Sequence, residues 1–266
     1  MAGPALTLAL ETATSRSSVA LTRGSLADGA LVAEWSLERG RQQQRSLLGT
    51  AERLLRQSGH AWSDLTLLAV SLGPGSFTGL RIGLAAAQGL ALGLNLPLVG
   101  VSTLEALACA GAGEGEVCCL LDARRGQLYA GCYRLAPGCR PQVVLEPRAC
   151  PPATLATWLR QRHPLPPAVG GLPGERDTML LLGDGAEAYR AQFADIAGLH
   201  WAAPLQARPR AAAVGLLAAS IQAAGPLPSA LGLAPLYLRP AEAEETLTRH
   251  RDAAAGEHQS AQEYYR

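Results

Sequence analysis

Gly73-Pro74-Gly75-Ser76-Phe77-Thr78-Gly79-Leu80-Arg81-Ile82-Gly83 joins two segments of different periodicity. Before it, Leu65 to Leu72 is nearly all apolar and reads as a buried strand; after it, Thr78 to Leu94 reads as a helix. Glycines at a strand-to-helix joint let the backbone turn sharply and approach a neighbour closely. Free amides and the helix dipole at Ser76 to Gly79 favour a phosphate or carboxylate, so Gly75, Ser76, Thr78 and Arg81 are candidates for an anion- or nucleotide-proximal site. The same residues equally suit a tight turn in which Ser76 or Thr78 caps the helix. Along that helix Gly79, Gly83, Ala87 and Ala91 recur every four residues and form one smooth row. A row of small side chains admits a close neighbour, either the protein's own sheet or a second, similarly built chain.

Outward from this joint, strands and helices alternate. Ala5 to Glu11 places Leu6, Leu8 and Leu10 on one face, as a half-buried strand does. Thr12 to Arg16 is a polar turn whose Thr12 and Thr14 join the anion-proximal candidates. Ser17 to Arg23 reads as a second strand, Asp28-Gly29 as a turn, and Leu31 to Leu37 as a third strand. Gln42 to Gln57 carries Leu47, Leu48, Ala51, Leu54 and Leu55 at helical spacing, and Pro97 to Val101 is a further strand. The order is β-β-β-α-β-α-β.

The second half repeats that order more loosely. Strands at Val117 to Asp122 and Gln127 to Tyr133 flank Ala123-Arg124-Arg125-Gly126, and Met179 to Leu182 runs into Gly183-Asp184-Gly185. Asp122, Gly183 and Gly185 are the anion-proximal candidates of this half. A duplicated unit of this order predicts the two-lobed α/β fold of actin, Hsp70 and the sugar kinases (ASKHA). The expected lobes are 1–104, joined by a C-terminal helix near 209–224, and 105–208. Within the second, 136–177 is proline-rich and reads as irregular chain around a short helix near Leu155 to Gln161. Leu236 to Pro240 reads as a last short strand. Residues 241–266, polar and without apolar periodicity, read as a disordered tail, and removing Glu244 to Arg266 is expected to leave folding intact.

With 48% hydrophobic and 17% charged residues, the 266-residue chain has the means for a proper core, which excludes wholesale disorder. Its net charge of +1 lacks the basic surplus of a nucleic-acid binder, so contact with RNA is expected to run through another protein. The N-terminus, MAGPALTLALE, has no basic region before its apolar residues, which points to a cytoplasmic protein. No charge lies between Arg81 and Glu105, yet Gln88, Asn95 and Pro97 interrupt the stretch, as in buried elements of an α/β protein and not a membrane span. The six cysteines form no CxxC pair and read as buried or incidental thiols; the five histidines show no metal-binding spacing, so no metal site is expected.

Several blocks together resemble the bacterial TsaB (YeaZ) family: LALETATSRSSVAL (Leu8 to Leu21), the GPGSFTGLRIG joint, and AQGLALGLNLPLVGVSTLEALA (Ala87 to Ala108). The likeness continues in LLDARRGQLYAGCY (Leu120 to Tyr133) and PLYLRP (Pro235 to Pro240). It is strong over the first 135 residues or so and weak beyond. The resemblance implies the two-lobed fold with degraded nucleotide-binding elements. It implies a non-catalytic partner of TsaD, a paralogue that transfers a threonylcarbamoyl group to an adenosine beside the tRNA anticodon, with the small ATPase TsaE as a third member. It also implies self-association through the same surface, no cofactor of its own, and ATP or ADP at the interface of the complex. The candidate partner interface is Gly79, Gly83, Ala87 and Ala91, with Arg45.

Two departures stand out. TsaD-like enzymes carry paired histidines on the helix corresponding to Gln42–Gln57, and this helix has none; Gln43 stands where many TsaB-like chains keep one histidine. Glu11 stands at a strand end where many relatives carry aspartate, and its extra methylene displaces the carboxylate. Asp122 precedes Arg124 and Arg125, which would favour its charged form, and with no second acid evident it reads as structural or interfacial. Three rivals stand beside this reading. A free-standing phosphotransferase of the same superfamily would use Gly183-Asp184-Gly185 for adenosine, but Thr12 to Arg16 lacks its glycine-rich phosphate hairpin. A peptidase has no nucleophile–histidine–acid set in support. A binding module unrelated to tRNA predicts unchanged tRNA nucleosides when the gene is lost.

Overall fold

The computed structural model describes residues 4–38, 47–111, 113–162, 178–204 and 206–239. Two five-stranded sheets organise it. In the first, β1 (Leu6–Glu11) runs antiparallel to β2 (Arg16–Arg23), which pairs with β3 (Ala30–Glu38); on its other side β1 is parallel to β4 (Leu67–Gly73), followed by β5 (Leu98–Ser102). The second repeats this with β6 (Gly115–Arg124), β7 (Gln127–Leu135), β8 (Gln142–Cys150), β9 (Met179–Leu182) and β10 (Leu199–Trp201). The strand orders, β3-β2-β1-β4-β5 and β8-β7-β6-β9-β10, match position for position, as a duplicated unit requires.

Each sheet is covered on both faces, as strands with parallel neighbours usually are. On the first, α1 (Leu47–Gln57) and α2 (Phe77–Leu94) bury Leu54, Leu55, Leu84 and Ala87 against Leu8, Leu10 and Val70. The opposite face takes α6 (Ala211–Ala224), whose Ala211, Val214, Leu217 and Ala218 pack on Ala9, Ala20, Ala69 and Val99. β1 is therefore buried along its whole length and not half-buried: Thr7, Ala9 and Glu11 are buried like Leu6, Leu8 and Leu10, and Ala9 packs on α6. The second sheet is flanked by α4 (Pro152–Arg162) and α5 (Asp184–Ala188) on one face and by α3 (Thr103–Gly111) on the other. α3 belongs to neither sheet alone. Its Leu104 and Leu107 pack on Val117, Cys119 and Tyr133, while Ala106 lies among the residues of α6.

Three expectations need correction. β8 was expected to be irregular as part of the proline-rich stretch 136–177. It is the edge strand of its sheet, where Pro147 can leave a ladder position without a donor, so the segment still pairs with β7. α4 begins earlier than expected, with Pro152 in the first helical position, where its missing N–H costs nothing. The expected strand at Leu236 is a single backbone hydrogen bond, Leu236 N to Leu72 O at 2.7 Å, with no ladder around it. The expected tail, Gln43 and Arg45 lie outside the described residues.

α2 is the one described helix long and apolar enough to cross a membrane, and its inner face is part of the core. All six cysteines are free; Cys118, Cys119, Cys132 and Cys150 are buried, and burial together with nearby Glu105 pushes the Cys109 thiol up to about 12.

Candidate functional site

The two glycine-rich joints lie at equivalent places, where β4 enters α2 and where β9 enters α5. Each is pressed closely by the first two strands of its own lobe or the turn between them. At the first, Ser76 N donates to Ala13 O at 2.6 Å, and Ser76 Oγ accepts from Gly79 N at 3.3 Å, capping α2 as one sequence reading allowed. Thr12, fully buried, donates through Oγ1 to Gly79 O at 2.9 Å. The glycines are there for contact: a Cβ on Gly75 would fall 2.2 Å from Ala13 O, one on Gly79 2.1 Å from Thr12 O, and one on Gly83 2.2 Å from Thr12 Oγ1. Ala13 O and Thr12 therefore pack directly on the first turns of α2.

This geometry corrects the partner-interface candidates. Gly79, Gly83, Ala87 and Ala91 form the inner row of α2, buried on the turn after β1 and on the first core. The exposed row is the opposite one, with Thr78, Ala85, Gly89, Leu92 and Gly93.

Arg81 leaves the joint as well. Its guanidinium lies 3.8 Å over the Phe77 ring and Nε donates to Tyr237 Oη at 3.0 Å, while Phe77 and Tyr237 stack at 5.2 Å between centroids. The Leu233–Arg239 segment runs from α2 towards the second sheet: Gln88 donates to Leu233 O, and Arg239 donates to Ala123 O at 3.0 Å. Thr14 Oγ1 accepts from Arg16 N and donates to Arg16 O, a local turn and not a binding contact.

At the second joint, Gly183 adopts a φ of 103°, and a Cβ there would lie 1.9 Å from Leu120 O; one on Gly185 would meet Leu128 Cδ2 at 2.6 Å. Asp184 Oδ1 accepts from Asp122 N at 3.0 Å, so α5 is tied to the end of β6. Asp122 in turn accepts from Arg124 N at 2.9 Å and pairs with the Arg124 guanidinium at 3.2 Å, holding the hairpin tip. Asp184 is the second acid that sequence reading did not credit; its place inside Gly183-Asp184-Gly185 was the available signal. Across the lobes, Arg208 reaches both Asp184 at 3.4 Å and Glu38 at 3.7 Å. Thus Asp122, Gly183 and Gly185 come together in one lobe, and Thr12, Gly75 and Ser76 in the other. Arg81 and Thr78 stand outside both.

Among the described residues, Glu11 is the acid pushed furthest above its usual range. It is fully buried at the end of β1, Oε1 accepts from Ala13 N at 2.6 Å, and burial pushes its carboxyl up to about 7. Among the described residues no three His, Cys, Asp or Glu side chains gather as metal ligands would.

Residues 38–239 match the family model of TsaD, tRNA N6-adenosine threonylcarbamoyltransferase. The tRNA threonylcarbamoyladenosine biosynthesis protein TsaB of Bacillus subtilis is 32% identical over 241 residues, covering 89% of this chain and 95% of that protein. TsaB of Escherichia coli is 44% identical over 131 residues, covering 48% and 54%. Among solved structures, YeaZ from Pseudomonas aeruginosa superposes with a TM-score of 0.68 at 28% identity, covering 88% of this chain and all of that one. A match along nearly the full length of a TsaB protein, on the same duplicated fold, places the chain in the TsaB (YeaZ) family.

Proposed function

We propose that this chain acts in forming N6-threonylcarbamoyladenosine on tRNA, as the non-catalytic partner of a TsaD enzyme and in concert with the ATPase TsaE. The observation that carries the non-catalytic part is the filling of the α2 joint. Ala13 O takes the Ser76 amide, Ser76 Oγ takes the Gly79 amide, and Thr12 packs on Gly79 and Gly83, so the glycine joint at the start of α2 is committed to internal contacts. The joint after β9 has the same character, with Gly183 and Gly185 pressed on β6. Any ATP or ADP in the assembly is then held between chains, and the protein works in the cytoplasm where tRNA is modified.

The surface we assign to the partner is the outward row of α2. Leu92 is 62% exposed there, and nothing lies within 4 Å of a Cβ built on Gly89 or Gly93. An exposed leucine beside bare helix backbone suits a second helix laid closely along the first. A second copy of this chain would use the same row when TsaD is absent.

Reconstitution tests the proposal: threonylcarbamoyl transfer to tRNA by the cognate TsaD and TsaE, with and without this chain. Transfer that needs the chain, while the chain alone neither hydrolyses ATP nor modifies tRNA, is the expected result. Full transfer in its absence would overturn the partner role, and vigorous phosphoryl transfer by the chain alone would return the phosphotransferase reading.

A further inference from the structure

We infer that the 233–239 segment is a latch: it opens and closes without unfolding either lobe, and through its two ends it couples the first turns of α2 to the β6–β7 hairpin. Its seat is built into the glycine joint. The pairing of β4 with β5 passes from Ser71↔Val101 to Gly73↔Ser102 and skips Leu72. A residue skipped by the ladder leaves a backbone group in need of a partner. Leu236 N supplies it, donating to Leu72 O at 2.7 Å. Gly73, at a φ of 114°, keeps the place clear, since a Cβ there would fall 2.8 Å from Leu236 O.

Phe77, Arg81 and Gln88 share one stripe of α2, by their helical spacing, and that stripe receives the segment. Gln88 Nε2 donates to Leu233 O at 3.2 Å, Arg81 Nε donates to Tyr237 Oη at 3.0 Å, and the Phe77 ring stacks on Tyr237. At the other end, Arg239 donates to Ala123 O at 3.0 Å, close to the tip of the hairpin in the second lobe. Ala123 follows Asp122, whose amide is held by Asp184 and whose carboxylate holds the Arg124 amide. Only Leu238 separates Tyr237 from Arg239, so lifting the ring from α2 pulls on the hydrogen bond to the hairpin.

Burial shows why this segment can open alone. Ala230 and Leu233 pack on the first core, but none of the described residues after Leu233 belongs to a core. Leu236 and Tyr237 are 40% and 41% exposed, and Phe77 beneath the ring is 39% exposed. A segment held by single hydrogen bonds and one half-exposed ring stack uncovers little apolar surface when it lifts. Its opening therefore costs far less than unfolding a lobe, whose strands are buried on both faces. The anchors also depend on one another. Each contact that forms orders the chain for the next, so the segment seats and lifts as a unit.

Native-state amide exchange of the full chain, read by NMR at rising urea below the unfolding transition, tests the latch. After correction for intrinsic rates, the Leu236 amide should exchange at least about a hundredfold faster than the β1 amides, by an opening that urea hardly affects. Tyr237→Ala should raise exchange at Leu236 at least about fivefold and at Asp122 and Arg124 at least about threefold, although the stack and hydrogen bond of Tyr237 are both with α2. Arg239→Ala should raise exchange at Leu236 in the same direction, and both variants should leave the β1 amides level. Leu236 exchange that shares the urea dependence of the β1 amides overturns the inference, because the segment would then open only with its lobe. That comparison needs the wild type alone, so it decides even where a variant does not fold. Exchange at Asp122 and Arg124 that ignores Tyr237→Ala also sinks it, since the two ends would then be uncoupled.

Discussion

At Gly83 the difference between a hydrogen and a methyl decides whether α2 can lie on its sheet, because Thr12 Oγ1 occupies the space that a Cβ needs. Gly83→Leu is therefore expected to lose the fold and not merely a partner, with a melting transition lowered or abolished. The outward Gly89 makes the opposite prediction. With nothing near its would-be Cβ, Gly89→Ala should raise stability by about 0.5–1 kcal/mol through helix propensity, read by denaturant unfolding. A loss of stability at Gly89→Ala would mean that this row is covered. Glu11 adds a pH dependence whose sign follows from its raised value. The folded state holds the proton more tightly than the unfolded chain, so the neutral-acid contribution is complete below about pH 4.5. It falls as pH rises to about 7 and is flat above. The shift corresponds to roughly 3 kcal/mol, and it should appear as a slope in wild-type stability that Glu11→Gln lacks.

Among the elements, α6 shows how a helix is positioned by residues far away in sequence. It has no side-chain cap of its own; Ser18 Oγ accepts from Ala211 N at 2.9 Å, and Glu34 Oε1 accepts from Ala212 N at 3.1 Å. Strands β2 and β3 thus supply the cap, and Gly215 lets the helix settle on Thr22. Ser18→Ala leaves a buried amide unpaired and is expected to lower stability by about 1–3 kcal/mol, measurable by thermal or chemical unfolding. The helix itself was readable, since proline precedes it and Gly225 follows it. Its capping was not, because the partners come from nearly two hundred positions earlier. β8 illustrates the reverse failure. Pro147 and the proline-rich chain around it hid a strand that its place at the sheet edge permits.

For the molecule as a whole, two kinds of contact join the lobes, and their magnitudes differ. Arg208 bridges Glu38 and Asp184, but its side chain is 31% exposed and the separations are 3.4 and 3.7 Å, so the bridge is worth about 1 kcal/mol at most. α3 buries Leu104 and Leu107 against the second sheet while touching α6 through Ala106. Leu107→Ala should therefore lower stability by about 2–5 kcal/mol, whereas Arg208→Ala should change it by less than about 1 kcal/mol, both read by equilibrium unfolding. An equal or larger effect at Arg208 would show that charge, and not the α3 core, joins the lobes.

Periodicity and turn chemistry along the chain were enough to determine the β-β-β-α-β-α-β order of the first half, its loose echo in the second without β8 and β10, the two glycine joints and the closing helix, because these depend on neighbours close in sequence. The resemblance carried by the GPGSFTGLRIG joint was likewise legible. Which face of α2 is buried was not, since its inward row, Gly79 to Ala91, and its outward row, Ala85 to Gly93, are both small and apolar. Only the approach of Thr12 and Ala13, some sixty residues earlier in the chain, selects the inner one. The same holds for Glu11: its identity is in the sequence, but its complete burial and its unpaired oxygen exist only once distant elements have closed around it.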